Sequence, residues 1–272
     1  MRDLACPRSR RWRVAVRSRP PTFRAWYGTL QTLLVRTSAR LVTVSAFARA
    51  EIARTLRVDP ARVSVVSEGA DHITRLPPDP GVLEHAALAP GRYVLAVGNI
   101  VAHKNLPALR ELARALADRG QVLAIAGASS AGVFRDSANL PQPARLLGRV
   151  DDSKLRALYE HAACLVFPSL YEGFGLPAVE AMACHCPVAA ADIPGLRETC
   201  GDVATYFNPR SSASIAETVL ALLDNPARAE AMREAGAARA AKFTWSRAAD
   251  VLTAVATEVA PVVSKAGLEL VA

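Results

Sequence analysis

From about residue 92 onward, short apolar runs alternate with longer segments whose apolar residues recur at helical spacing. Tyr93–Val97, Val122–Ala126, Cys164–Phe167 and Pro187–Ala190 are nearly continuous apolar runs of strand length. Runs of that kind read as strands covered on both faces. Ala144–Leu147 and Ala204–Phe207 read as shorter extended pieces. Asn105–Arg119, Asp152–Ala162, Leu176–Cys184, Ser212–Leu223, Ala227–Lys242 and Trp245–Val259 read as helices. This alternation predicts an α/β protein, a Rossmann-like parallel sheet with helices on both faces. Upstream, Phe23 to Ser38 reads as a helix with Trp26, Leu30, Leu33 and Leu34 as its apolar residues. Leu41–Ser45 reads as a short buried strand and Val63–Val66 as another. Between them Ser45 is placed to cap a helix, Ala46–Arg57, with the apolar face Phe47, Ile52 and Leu56. Residues 74–91 contain Pro77, Pro78, Pro80 and Pro90 and read as a linker or loop with at most one short helix.

Composition narrows the class. A chain of 272 residues, 51% hydrophobic and 21% charged, has the makings of a sizeable core in one or two domains. No apolar run approaches the roughly 18–20 residues that span a bilayer, and the N-terminus lacks the apolar stretch of a secretory signal. Five irregularly spaced cysteines do not make a disulfide framework, so a reduced, cytoplasmic setting is the default expectation. The net charge of +8 is unevenly placed: residues 1–24 hold eight arginines and one acid, Asp3. The remaining chain is near neutral, so no broad nucleic-acid footprint is expected. The basic start, with Trp12 and Trp26, offers peripheral contact to anionic lipid at an inner membrane face. An irregular Arg- and Pro-rich end is the plainer reading of the same residues.

Three pieces carry chemistry, and each follows a predicted strand. In an open parallel sheet they therefore converge on the carboxyl edge, where ligands bind. The first is Val97-Gly98-Asn99-Ile-Val-Ala-His103-Lys104-Asn105, a glycine at a strand end followed by a lysine at a helix start. That is a poor electrostatic place for a cation, and a good one for a diphosphate clamp. The second, Gly148-Arg149-Val150-Asp151-Asp152, is either a ligand-side loop or a plain turn capped by Asp. The third is Glu172-Gly173-Phe174-Gly175-Leu176-Pro177-Ala-Val-Glu180. Two glycines free the backbone to turn, Pro177 suits a first helical turn, and bare amides at that helix start suit phosphate. A carboxylate on either side, Glu172 and Glu180, is placed to accept sugar hydroxyls. Without that context, the Glu-x7-Glu spacing by itself would read as two solvated helix carboxylates.

These pieces resemble the signature of the family 4 retaining glycosyltransferases, which have the GT-B fold. Supporting matches are Thr43-Val-Ser45 with Phe47, Glu68-Gly69-Ala70-Asp71, Glu198 with Gly201-Asp202, and Phe243-Thr-Trp245, so the likeness covers about residues 41–257. The resemblance implies a nucleotide-sugar donor, GDP- or UDP-linked, with no further cofactor, and a glycan or lipid-linked acceptor. It implies that Glu180 binds the nucleotide ribose and that Glu172 lies by the donor sugar. It implies that Lys104 stabilises the leaving diphosphate and that Gly98, Asn99, Arg149, Val150, Gly173, Phe174, Gly175 and Leu176 line the donor. Glu172 and Lys104 are then the catalytic pair. Asn99 stands where many members have arginine, and His185 where the family usually has a turn glycine. Cys184-His185-Cys186 lacks the further ligands of a zinc site. No Asp-x-Asp triplet occurs, which argues against the metal-dependent GT-A class.

The resemblance also divides the chain. Residues 1–73 correspond to part of an acceptor-side domain, 74–91 to a linker, 92–259 to the nucleotide-sugar domain and 260–272 to a tail. Arg2-Asp3-Leu4 falls where the first domain carries a His-Asp-Leu element, so most of that domain is expected to be missing. A truncated or mis-started product, a subunit completed by a partner and a divergent enzyme are the three readings of that expectation.

Overall fold

The computed structural model describes residues 21–38, 40–127 and 140–267. Arg2-Asp3-Leu4, Cys6, Trp12 and most of the basic stretch lie outside the described residues. Six strands form one parallel sheet: β3 (Tyr93–Val97), β4 (Val122–Ala126), β5 (Arg145–Gly148), β6 (Cys164–Phe167), β7 (Val188–Ala191) and β8 (Thr205–Phe207). Their order is β5-β4-β3-β6-β7-β8. From β3 the chain moves outward to β5, then returns to place β6 on β3's other side. That is the doubly wound order, with its reversal between β3 and β6. Leu95 stands opposite Ala124 on one side and Leu165 on the other, which fixes the register at the centre. All four residues of β6 are fully buried. Burying a Leu, Val or Phe side chain contributes about 1.5–3 kcal/mol, which is why unbroken apolar runs suit these positions and alternating ones do not.

A second, two-stranded parallel sheet pairs β1 (Leu41–Thr43) with β2 (Val63–Val65). The helices are α1 (Pro21–Thr37), α2 (Ala46–Leu56), α3 (His72–Arg75), α4 (Gly81–His85), α5 (Arg110–Asp118), α6 (Asp152–His161), α7 (Leu176–Ala183), α8 (Pro194–Cys200), α9 (Ser212–Leu223), α10 (Pro226–Ala240) and α11 (Trp245–Gly267). Ser45 caps α2 as expected, its hydroxyl accepting from the Ala48 amide at 3.0 Å.

Several expectations need correction. The buried positions of α2 are Ala48 and Ala53, while Phe47, Ile52 and Leu56 are only partly covered. Helix α1 forms, but Trp26, Leu33 and Leu34 are 60%, 57% and 52% exposed, so of the apolar positions named for it only Leu30 is partly covered. Strand β1 is half-covered, with Val42 exposed, rather than buried. The segment expected as one helix from Asn105 opens with a 3-10 turn at Leu106–Leu109 before α5. Helix α8 was not expected; a proline at its start and a glycine after its end frame it. The backbone of α11 stays helical past Pro261 to Gly267, although an interior proline removes one hydrogen bond and crowds the carbonyl four residues before it. Residues 74–91 pack tightly in spite of their prolines. Val82, Leu83, Ala86 and Leu88 join the main core, and Arg156 donates to the carbonyls of Thr74 (2.7 Å) and Leu76 (2.5 Å).

A clasp joins the segment after β2 to the start of α11. The Ala70 amide donates to Phe243 O at 3.0 Å, and the Trp245 amide donates to Asp71 Oδ1 at 2.8 Å. Gly69 lies so close that a Cβ there would stand 2.2 Å from the Trp245 nitrogen. Gly69→Ala should therefore destabilise the fold by about 1–3 kcal/mol through overpacking against backbone, read as a lower urea midpoint; an unchanged midpoint would show that the clasp yields freely.

Candidate functional site

The reversal between β3 and β6 places two loops side by side at the carboxyl edge. After β3, Gly98 and Asn99 lead to Lys104, with Asn99 exposed. A Cβ on Gly98 would meet the Lys104 side chain at 3.3 Å, so the lysine stem lies against the bare glycine. After β6, Pro168 and Ser169 lead to Glu172. The two loops meet in an ion pair: Lys104 Nζ is 2.7 Å from Glu172 Oε1, with side-chain exposures of 18% and 13%. The same ammonium lies 5.1 Å from the centre of the Phe167 ring.

The lysine is anchored by its neighbour. Asn105 takes a left-handed conformation (φ 55°), and its Nδ2 donates to Pro168 O at 3.1 Å and Pro209 O at 2.7 Å. The Leu170 amide donates to His103 O at 2.8 Å, which ties the two loops along their main chains.

From Glu172 the chain enters α7. Gly175 adopts φ 92°, where a Cβ would stand 2.4 Å from Leu196, so both the turn and its packing require glycine. Gly173 O accepts from Ser45 Oγ at 2.5 Å, which fastens the loop to the cap of α2. Phe174 is buried and meets Phe243 edge-on at 5.3 Å, so its side chain belongs to the core and only its backbone faces the loop chemistry. Leu176 is half-buried against the core. Among the described residues, none accepts a hydrogen bond from the amides of Gly173, Phe174, Gly175 or Leu176. These N–H groups front a helix N-terminus with no side-chain cap, a natural anion seat.

Glu180, one turn into α7, is only 6% exposed, with one partner on each carboxylate oxygen. Tyr159 of α6 donates its hydroxyl to Oε2 at 3.1 Å, and His72 Nε2 stands 3.1 Å from Oε1. Burial pushes the Glu180 carboxyl up, His72 and Tyr159 oppose that rise, and Asp152 adds to it. Glu68 is likewise pushed up, by burial and then by the charge of Glu172. The loop after β5 carries Arg149 exposed and Val150 half-buried; Asp151 caps α6 by accepting from the Lys154 amide at 2.9 Å. His185 closes the end of α7 in the left-handed region (φ 55°), its carbonyl accepting from Arg233 at 2.7 Å. Among the described residues no group of three His, Cys, Asp or Glu side chains could hold a metal ion, and no helix is long and apolar enough to cross a membrane.

The structure thus gathers Gly98, Lys104, Glu172, Gly173 and Gly175 at one reversal point and sets Glu180 a helical turn away. His72 and Tyr159 were not singled out by sequence, and Asn105 closed the first motif without a role assigned to it. Tyr159 reads as an apolar helix position, and His72 lies in a segment that carries no periodic signal. What the sequence did not show of Asn105 is its bridge to the carbonyls of Pro168 and Pro209.

An α/β sheet with a strand-order reversal, and a cation and open amides beside it, defines a protein of the doubly wound class, whose ligand sites lie at such reversals. Residues 85–239 match the group 1 glycosyl transferases. The chain belongs to that family. It is 31% identical over 220 residues to the O-antigen chain mannosyltransferase B of Escherichia coli, covering 76% of this chain and 58% of that one. It is 33% identical over 235 residues to the D-inositol 3-phosphate glycosyltransferase 2 of Catenulispora acidiphila, covering 79% and 55%. The chain therefore spans between half and two thirds of the length of these relatives. Among solved structures it resembles the sucrose-phosphate synthase of Thermosynechococcus elongatus (TM-score 0.73, 22% identity, 90% of this chain and 63% of that one). It also resembles Anabaena HepE in complex with UDP and glucose (TM-score 0.71, 18% identity, 86% and 66%). The GT-B fold expected from the sequence is the fold of the structure.

The raised Glu180 carboxyl has a consequence for stability. The folded chain binds this proton more tightly than the unfolded one, so the group favours the fold below its ordinary value of 4.5. That contribution is lost as pH rises through the folded-state value. Unfolding free energies of wild type and Glu180→Gln, measured from about pH 4 to 7, should diverge against the wild type with rising pH. A pH-independent difference would refute the assignment.

Proposed function

We propose that this chain carries the donor site of a retaining glycosyltransferase that moves a sugar from a nucleoside diphosphate onto a glycan or lipid-linked acceptor. The observation that carries the reading is the Lys104–Glu172 pair across the sheet's reversal point, beside the unengaged amides of Gly173 to Leu176. Lys104 and those amides supply the positive field a diphosphate needs. Gly98 admits the lysine stem, and Asn99 flanks the diphosphate. Arg149 and Val150 line the base through main-chain groups, and Glu180 accepts the ribose hydroxyls. GDP-mannose is the favoured donor over UDP-sugars: Asn99 replaces the arginine many members carry, and the E. coli relative is named as a mannosyltransferase.

The chemistry needs no protein nucleophile. The bond from the sugar's anomeric carbon to the diphosphate oxygen breaks, and charge builds on the leaving phosphate. Lys104 and the α7 amides stabilise it there. The acceptor hydroxyl attacks the same face, forms the new bond at the anomeric carbon and passes its proton to a phosphate oxygen. Glu172 positions the sugar. The enzyme works in the cytoplasm without a further cofactor, with peripheral membrane contact through residues 1–24 as its route to lipid-linked acceptors.

Lys104→Ala and Glu180→Ala should each weaken GDP-mannose or UDP-sugar binding about 10-fold or more in calorimetry, the scale of a lost hydrogen bond to a charged group. Unchanged affinity would sink the site assignment. In a paired transfer and hydrolysis assay, turnover supports the enzyme, whereas binding without turnover would make the chain a nucleotide-sugar-binding module that works with a partner.

A further inference from the structure

The neighbour of Glu180 is itself held. The indole Nε1 of Trp245 lies 3.0 Å from His72 Nδ1. An indole N–H only donates, so Nδ1 must be the acceptor and carries no proton. The ring proton then sits on Nε2, which faces Glu180 Oε1 at 3.1 Å. A doubly protonated ring would forfeit the Trp245 bond. Trp245 in turn is fixed by its amide bond to Asp71 Oδ1 and by the close approach of Gly69. On the other side, Tyr159 holds Oε2. A carboxylate offers about four acceptor positions. Two are filled by the protein, one on each oxygen, and two remain, the number a ribose diol requires.

We infer that His72 is a positioning residue for donor recognition. Trp245 fixes it in the neutral Nε2–H form, and that N–H locks the Glu180 carboxylate in the single orientation that meets both ribose hydroxyls. The inference depends on the ribose reading of Glu180 given above. It adds a residue from outside the sheet, on the segment after β2, and makes the clasp between residues 69–72 and 243–245 part of the donor seat.

The test measures ribose discrimination by calorimetry on the full chain. GDP and UDP are each compared with their 2′,3′-dideoxy forms, and the ratio of affinities is read for the nucleotide that binds more tightly. Wild type should prefer the intact ribose by about tenfold, and Glu180→Ala should bring the ratio near one. His72→Leu should lower it about fivefold. His72→Gln, whose amide reaches the same carboxylate oxygen, should restore it, and His72→Asn, which is too short, should not. Trp245→Phe should give an intermediate ratio, because the ring loses its tautomer restraint. If His72→Leu does not fold, the Gln and Asn pair carries the same comparison. A ratio that falls in Glu180→Ala but stays at the wild-type value in His72→Leu and His72→Asn overturns the role of His72 and leaves the ribose reading standing. Equal loss in His72→Gln and His72→Leu overturns the hydrogen-bond argument and marks the ring as packing. A wild-type ratio near one, or one unmoved in Glu180→Ala, overturns the ribose reading and this inference with it.

Discussion

A parallel sheet whose strand order reverses must part its loops at the reversal. Strands β3 and β6 are hydrogen-bonded neighbours, yet the chain leaves them in opposite directions, toward α5 on one side and α7 on the other. Because the covering helices diverge there, a crevice is expected at the carboxyl ends of β3 and β6. Everything chemical in this molecule is arranged around that constraint. Lys104 enters the crevice from one side and Glu172 from the other, and their 2.7 Å contact spans it. Asn105 keeps the lysine loop from drifting by bonding carbonyls on the far wall.

The crevice does not stand on the large sheet alone. The loop into α7 is tied to the small β1–β2 unit through the Ser45 hydroxyl on Gly173 O, and α2 is tied to α8 by the Glu198 carboxylate. That carboxylate accepts from the amides of Ala46 and Phe47, at 2.7 Å each. A negative group at a helix start is favourable by the helix dipole as well as by the bonds themselves. Glu198 therefore satisfies amides of α2 that would otherwise be orphaned, and in doing so docks the small unit against the face of the site. The clasp at Gly69, Asp71 and Trp245 does the same from the opposite end of the chain.

The sheet was legible because its strands are buried on both faces, which writes them as unbroken apolar runs such as Cys164–Phe167. The glycines and charges that follow those runs were legible too, since each strand end must deliver them to one edge. The partners of Glu180 were not. His72 lies 108 positions upstream on a turn of helix too short to show a period, and only the long-range clasp brings it to α7. The exposed face of α1 was misjudged for a related reason: helical spacing shows that apolar residues share a face and says nothing about whether anything covers it. His185 shows the reverse case. Its position at the end of α7 demands a left-handed residue, and the chain meets that demand with a histidine, at a cost of about 1–2 kcal/mol against glycine.

The two glutamates that frame the loop before α7 differ in a way that suits different tasks. Glu172 has one strong partner, the Lys104 ammonium, in a pair largely shielded from water, so an anion that takes the lysine must compensate for the contact it breaks. A diphosphate brings more charge than one carboxylate, so on the proposed reading it displaces Glu172 from the lysine and leaves that carboxylate free beside the sugar. Glu180 has no such freedom. It is buried, its oxygens are held by two neutral donors from α6 and the clasp, and an ionised group in that position is costly to leave unmatched. A carboxylate held in this manner cannot reorganise to suit a ligand, so the ligand must fit it. One acid is exchangeable and one is fixed, and the eight-residue spacing between them separates an electrostatic switch from a rigid template.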